Sequence, residues 1–271
     1  MDAGKSIEPL CKSFNIPVVS LNRQGYKEST HLPTLSEGQT NHGEQAKALN
    51  EFILPRIWTE YGVPSGASSI VLAGHSVGAM LATMTAAFHA TAAASNTYPL
   101  SGLCTTGLAK VANPYFKTAG VPQPPTDETG RFIHWPDAAR DGMMLMLHEG
   151  KADPDFSETH AKLNNPAPID EVRESMNMES DAAYKVAAKN VQVPVLALVG
   201  EHDALWDMSK AALNEYVDLF EQTTVELGVV QNGPHCLELS YQGKAVFAKV
   251  LGHALQSAVG YGLEKEKSSK V

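Results

Sequence analysis

The sequence predicts an α/β fold, in which a mainly parallel sheet is covered by helices on both faces. Short apolar runs rich in β-branched residues alternate along the chain with longer segments of helical periodicity, a pattern typical of strands joined by crossover helices. One such run, residues 70–73, leads directly into Gly-His-Ser-Val-Gly at residues 74–78 and then into an alanine-rich helical segment. Residues 107–183 interrupt the alternation with clustered prolines, which indicates an inserted subdomain.

Hydrophobic periodicity assigns the remaining elements in chain order. Before the insertion we expect the end of a helix at residues 1–15, a buried strand at 16–21, an amphipathic helix at 41–61, the alanine-rich helix at 79–94 and a strand at 100–106. After it we expect a strand at 191–199, a helix at 208–221, a strand at 224–230, a helix at 239–261 and a charged, frayed tail at 264–271. The core is therefore predicted to comprise residues 1–106 and 184–271.

Composition narrows the class of protein. At 271 residues, of which 43% are hydrophobic, the chain can form one large domain, or a core with an insertion. Its net charge of −9 argues against nucleic acid or an anionic membrane as a partner. Cys11, Cys104 and Cys236 are odd in number and widely spaced, which suggests neither a disulfide framework nor a metal site. With no membrane-length apolar run and no signal-peptide pattern, we expect a cytoplasmic protein.

The pentapeptide at residues 74–78 has the G-x-S-x-G pattern of a nucleophile elbow, in the strand–turn–helix context that this pattern requires. A direct turn from strand into helix strains the serine backbone and holds Ser76 Oγ at the carboxyl edge of the sheet. Side chains at Gly74 and Gly78 are expected to collide with neighbouring backbone. The alternative is a glycine-rich turn with an incidental serine, but the context favours Ser76 as a nucleophile.

A serine hydroxyl becomes a good nucleophile when a base, usually a histidine oriented by a carboxylate, takes its proton. Asp203 follows the strand that ends at Val199, and His235 follows the strand that ends at Val230. Functional groups of parallel α/β sheets lie on loops beyond the carboxyl ends of the strands. We therefore expect Ser76, Asp203 and His235 to converge on one crevice.

This order of serine, aspartate and histidine is that of the α/β-hydrolases, and the chain resembles a cap-bearing member of that superfamily from about residue 16 to the last helix. The undecapeptide at residues 193–203 resembles the acid motif of the family, and Gly-Pro-His at 233–235 resembles its histidine motif with a proline inserted. Asn22 replaces an aspartate whose role in the family is mainly structural. Serine at the elbow argues against an epoxide hydrolase or a dehalogenase.

The resemblance implies a serine hydrolase that cleaves a carboxylic ester, thioester or lactone through an acyl-enzyme. Ser76 attacks the carbonyl, His235 accepts the serine proton, Asp203 orients the imidazole, and the backbone N–H of Val77 supplies one oxyanion donor. Two alternatives stay open: an acyltransferase, cyclase or C–C bond hydrolase with the same triad, or a catalytically silent scaffold that binds a small molecule.

The insertion, residues 107–183, is expected to form a mostly helical cap that sets specificity. Its apolar and methionine side chains suit a medium-sized, largely apolar substrate; they are Phe132, Trp135, Met143, Met144, Met146, Met176 and Met178. We expect a small-molecule substrate, no nucleic acid or membrane partner, a monomer or homodimer, and no cofactor or metal, because no nucleotide or metal motif occurs.

Other polar residues near the predicted triad have simpler interpretations. Glu201 and Asp207 resemble solvated charges flanking a turn, because neither occupies the motif position. His75 and His202 are expected to pack beside the triad or to contact it without acting as the base. Three histidines of the insertion are expected at the surface, with a place in the pocket lining as the alternative: His134, His148 and His160.

The start of the chain departs from the resembling family, which begins with further strands and a histidine–glycine loop that donates the second oxyanion N–H. Residues 1–5 resemble the stretch after that loop, so we expect the N-terminal strands to be missing and two strand edges to be unpaired. We expect poor stability or weak activity compared with a longer chain. The alternative is that the strands at 16–21 and 70–73 pair directly, with a donor from residues 1–5.

Overall fold

The computed structural model describes residues 6–92, 96–115, 125–152, 164–177 and 181–268. Its strands are β1 (Ile70–His75), β2 (Leu100–Thr106), β3 (Phe132–Ile133), β4 (Ala167–Pro168), β5 (Val195–Gly200) and β6 (Val225–Val230). Its α-helices are α1 (Glu8–Phe14), α2 (Asn41–Ala48), α3 (Leu54–Ile57), α4 (Val77–Thr91), α5 (Asp137–Met144), α6 (Ile169–Met176), α7 (Ala182–Asn190), α8 (Lys210–Val217) and α9 (Gly243–Ser268). None of these helices is long and apolar enough to cross a membrane.

Four parallel strands form the main sheet in the order β1-β2-β5-β6. The two central strands, β2 and β5, are buried along their whole length, as expected for apolar strands covered on both faces. His75 pairs with Thr106, and Gly200 pairs with Val230. The carboxyl ends of neighbouring strands therefore lie together, and the loops that carry Ser76, Asp203 and His235 all leave from this edge.

Helices cover both faces of the sheet, which confirms the predicted fold class. On one face α4 packs against β1 and β2 and is flanked by α2 and α7; on the other, α9 packs against β1, β2 and β5. Successive strand residues point to opposite faces, so Leu103 and Cys104 join two different apolar clusters. Alanines along the buried side of α4 allow its close approach to the sheet.

The predicted strand at residues 16–21 is wrong. This segment belongs to no strand, and Val18, Val19 and Leu21 are 51%, 43% and 43% exposed. Within the described residues, β2 is the one strand that pairs with β1, so the suggested direct pairing between residues 16–21 and β1 is wrong too. A β-branched run favours extended backbone, but a strand also needs a partner edge.

Two helices differ from the sequence-based expectation in detail. The predicted helix at 41–61 contains π-helical turns at Leu49–Ile53 and Trp58–Gly62, on either side of Pro55. Proline lacks an N–H and disrupts the regular hydrogen-bond ladder, which favours such turns. Helix α9 continues to Ser268, so the expectation of a frayed tail is wrong for residues 264–268, whereas 269–271 lie outside the described residues.

Two carboxylates on α6 attach this helix to the first half of the chain. Glu171 is wholly buried and accepts hydrogen bonds from Arg23 and Tyr26. Glu174 caps the start of α2, where it accepts from the backbone N–H of His42 at 2.9 Å and lies 2.6 Å from His42 Nδ1. Burial raises the pKa of Glu174, but hydrogen bonds from His42 and from backbone N–H groups outweigh it, so that the pKa is lowered.

Candidate active site

The chain turns from β1 into α4 at Ser76, which has φ 52° and ψ −121°. A positive φ is unfavourable for a residue with a Cβ, so it persists only where surrounding contacts fix the backbone. The N–H of Ser76 donates to the carbonyl of Thr106 at 2.8 Å, and the Ser76 carbonyl accepts from Ala79 N–H at 2.8 Å. Ser76 therefore lies at the N-terminus of a 15-residue helix, beside N–H groups that lack an intrahelical partner, including that of Val77.

The two glycines of the pentapeptide are not equivalent. A Cβ on Gly74 would lie 2.2 Å from the Gly78 carbonyl oxygen and 2.7 Å from Ala79 N, so the turn requires glycine there. A Cβ on Gly78 would meet no heavy atom within 4 Å outside the adjacent helical backbone. The expectation of a collision at Gly78 is wrong, because this position is already part of α4 and a side chain there points away from β1.

We expect Gly74→Ala to destabilise the protein by about 3 kcal/mol, because the added methyl group overlaps backbone atoms that are fixed by the turn. The matched variant Gly78→Ala should be neutral or stabilise by up to about 1 kcal/mol, because alanine has the higher helix propensity. Urea unfolding of both variants measures the difference. Equal stability of the two proteins would contradict the assigned geometry of the turn.

Asp203 and His235 form a buried hydrogen-bonded pair. His235 Nδ1 lies 2.8 Å from Asp203 Oδ2, and both side chains are fully buried. The other carboxylate oxygen of Asp203 accepts from the backbone N–H of Leu205 at 2.9 Å. Since a carboxylate can only accept, Nδ1 of His235 carries a proton, and in the neutral ring Nε2 presents a lone pair.

His235 Nε2 is buried and makes no hydrogen bond within the described part of the chain. A buried acceptor without a partner costs about 1–3 kcal/mol, so this atom is a place where a hydroxyl donor would be stabilised. A hydrogen bond from Ser76 Oγ to this nitrogen is not formed in the structure. The residue before Ser76 is nevertheless close to His235, because the ring centroid of His75 lies 4.9 Å from that of His235. Hydrogen bonds between a nucleophile and its base often form fully only when substrate binds.

Comparison with known proteins identifies the fold of the chain. No protein-family model matches the sequence, and neither does any curated protein. A soluble variant of monoglyceride lipase from Saccharomyces cerevisiae is similar in structure, with a TM-score of 0.54 and 16% identity over 89% of this chain and 76% of the lipase. The chain has the α/β-hydrolase fold.

Two further solved structures agree with this fold. VinJ gives a TM-score of 0.50 and 20% identity over 93% of this chain and 84% of VinJ. A carboxylesterase of the archaeon Nitrososphaera gargenis gives 0.52 and 13% identity over 89% of this chain and 79% of the esterase. At these identities the similarity concerns the fold alone.

The competing carboxylates have structural partners of their own in this α/β-hydrolase fold. Glu201 accepts from the backbone N–H of Asn232 at 2.8 Å, and Asp207 accepts from Ser209 N–H at 2.9 Å. The carboxylate that contacts His235 is Asp203.

Two of the other histidines considered as candidates lie at or near the surface. His202 is partly exposed and His134 is largely exposed. His160, like Met178 of the predicted cap, lies outside the described residues, as does the side chain of His148.

Sequence reasoning missed a polar cluster beside His235, formed by His75, Thr106, Cys236 and Glu238 and called here the Glu238 cluster. Thr106 donates to one oxygen of Glu238, and His75 Nδ1 lies 3.2 Å from the other. Cys236 Sγ lies 3.6 Å from His75 Nε2. Only the spacing of Glu238, three residues after His235, could have indicated the cluster, because its other contacts are distant in sequence.

Burial and the carboxylate of Glu238 have opposite effects on the pKa of His75 but the same effect on the pKa of Cys236. Burial lowers the pKa of His75; the carboxylate of Glu238 raises it, His235 lowers it and Asp203 raises it, and the net shift is downward. Burial, together with Glu238 and Asp203, raises the pKa of the Cys236 thiol. His75 is therefore neutral and Cys236 a thiol at pH 7.

A cavity of about 780 Å³ lies between residues 24–41 and the β3, β4 and α6 region. Its wall combines apolar side chains such as Leu35, Phe132 and Ile169 with charged ones such as Arg131 and Arg173. Ser76, Asp203 and His235 are not among its lining residues, so the cavity is separate from the serine–histidine–aspartate site.

Proposed function

We propose that this protein is a serine hydrolase that cleaves a carboxylic ester, thioester or lactone through an acyl-enzyme, with Ser76, His235 and Asp203 as its triad. The observation that carries the proposal is the buried Asp203–His235 hydrogen bond of 2.8 Å, which leaves the buried Nε2 of His235 as an acceptor without a partner. A shared fold does not fix a function, so the proposal rests on this site.

In the proposed reaction, Ser76 Oγ attacks the substrate carbonyl while His235 Nε2 takes the hydroxyl proton. Asp203 stabilises the resulting imidazolium through Nδ1–H, and the imidazolium then protonates the leaving group. Water then reacts by the same route. His235 removes a proton from the water while its oxygen attacks the carbonyl of the acyl-enzyme, and the imidazolium returns the proton to Ser76 Oγ as the acid product leaves. The oxyanion accepts a hydrogen bond from Val77 N–H at the positive end of α4.

The proposal includes residues 107–183 as a cap that sets specificity. The backbone N–H of Cys236 donates to the carbonyl of Met144 at 2.8 Å, so the end of α5 contacts the residue next to His235. Met143 and Met144 are half-buried there, and Leu145 is buried. These adaptable apolar side chains support a medium-sized, largely apolar substrate.

Turnover of an ester panel tests the proposal. We expect the purified protein to hydrolyse p-nitrophenyl esters, with kcat/KM highest at an intermediate acyl length and lower for acetyl and palmitoyl esters. Thioester and lactone substrates, assayed with and without an added alcohol, show whether water or the alcohol accepts the acyl group. The matched control is His235→Ala, prepared in parallel. Equal rates for the two proteins would contradict the proposed function.

A further inference from the structure

Glu238 connects the loop that carries His235 to two neighbouring strand ends. Its two carboxylate oxygens are contacted by Thr106, the last residue of β2, and by His75, the last residue of β1. Glu238 lies on the short 3₁₀ helix Leu237–Leu239, directly after His235 and Cys236. One side chain therefore fixes the spacing between the loop after β6 and the residue that precedes Ser76.

The hydrogen bonds of the Glu238 cluster select one tautomer of His75. The hydroxyl of Thr106 donates its proton to Glu238, so it cannot also donate to His75 Nδ1, which lies 3.0 Å from Thr106 Oγ1. Both oxygens close to Nδ1 are then acceptors, which requires the proton of His75 to be on Nδ1. The lone pair on Nε2 faces the Cys236 thiol, which can act as a weak donor.

The ring of His75 also limits the position of His235. The two rings meet edge to face at an interplanar angle of 61°. A Cβ on Gly107, the residue that follows β2, would lie 2.6 Å from His75 Cε1 and 2.9 Å from the His235 carbonyl oxygen. The end of β2 thus packs tightly against both histidines, so a rotation of the His75 ring would displace the loop of His235.

We propose that His75 and Glu238 are positioning residues for His235: Glu238 fixes the ring and tautomer of His75, and His75 holds His235 at its working distance from Ser76. This inference rests on the proposed function, because it assigns His235 as the base. Neither residue gives or takes a proton in the reaction.

The charge state of His75 matters for this role. The charged and titratable groups around its ring are Glu238, His235, Asp203 and Cys236, and the Arg140–Asp141 pair of α5 faces Cys236. A cation on His75 would oppose the imidazolium that His235 must form during turnover. The lowered pKa of His75 keeps the ring neutral at pH 7. Because the Glu238 carboxylate raises this pKa, its removal should lower the pKa further.

Glu238→Gln tests the proposal, with Glu221→Gln as a control that removes the same charge from a half-exposed surface pair with Lys189. The ¹⁵N signals of the His75 ring are assigned as those that disappear in His75→Phe. In the wild-type protein these signals should show the Nδ1–H tautomer. Glu238→Gln should lower the pKa of His75 and reduce kcat about tenfold at unchanged KM, because a small displacement of the base slows the chemical step. Glu221→Gln should leave both unchanged.

Several results would overturn this inference. An Nε2–H tautomer of His75 in the wild-type protein would do so even if Glu238→Gln failed to fold. A folded Glu238→Gln protein with wild-type kcat and an unchanged pKa of His75 would also overturn the inference. In that case the turnover of the wild-type protein would still support the proposed function. A wild-type protein without turnover would remove the proposed function and, with it, the positioning role; His75 spectra that follow the expectation would then support only the hydrogen bond between Glu238 and His75.

Discussion

Replacement of Ser76 by alanine is expected to lower kcat by about 10⁴-fold or more and to leave the fold intact. Ser76 Oγ is the proposed nucleophile, and alanine removes it without changing the backbone. Because the positive φ of Ser76 is fixed by contacts to Thr106 and Ala79, alanine can adopt the same turn. Ester turnover and thermal unfolding measure the two effects.

Ser65→Ala is the matched control for this experiment, because Ser65 is an exposed turn serine whose hydroxyl donates to the nearby carbonyl of Gly62. It should retain wild-type kcat. If Ser76→Ala also retained wild-type kcat, Ser76 would not be the nucleophile.

Asp203→Asn is expected to reduce kcat by about 10⁴-fold in a folded protein. An asparagine amide can donate to His235 Nδ1, which favours the Nε2–H tautomer and removes the lone pair that must accept the serine proton. Steady-state kinetics at pH 7, with circular dichroism as a check on folding, measures the effect.

Asp207→Asn makes the same chemical change four residues further along and should have little effect on kcat, because Asp207 accepts a local hydrogen bond from Ser209. A fully active Asp203→Asn protein would point to Glu201 or Asp207 as the acid.

Local sequence patterns predicted most of the core. The strand at 100–106 is found as β2 with the same limits, because a short apolar run between turn signals has few alternatives. The turn at Ser76 also follows from local sterics, since Gly74 has no room for a side chain. The rule that parallel strands end at one edge of the sheet brought the loops of Asp203 and His235 together, and the resemblance to the family's acid motif favoured Asp203 over Glu201 and Asp207.

Features that depend on distant partners were less predictable. Residues 16–21 have the composition of a strand but join no strand of the described sheets, and composition carries no information about pairing. The contact between Glu238 and His75 joins residues 163 positions apart in the numbering of the chain, so no periodic pattern reveals it. The division into a core and a cap at residues 107–183 stays a prediction.

The most direct test of the central claim is a peptide map after treatment with a fluorophosphonate probe. Such probes phosphonylate a serine that is activated by a neighbouring base. We predict one adduct, on the peptide that contains Ser76, and its loss in His235→Ala. An unmodified Ser76 peptide in the folded wild-type protein, or equal labelling of Ser76 in His235→Ala, would contradict the assignment of Ser76, His235 and Asp203 as a catalytic triad.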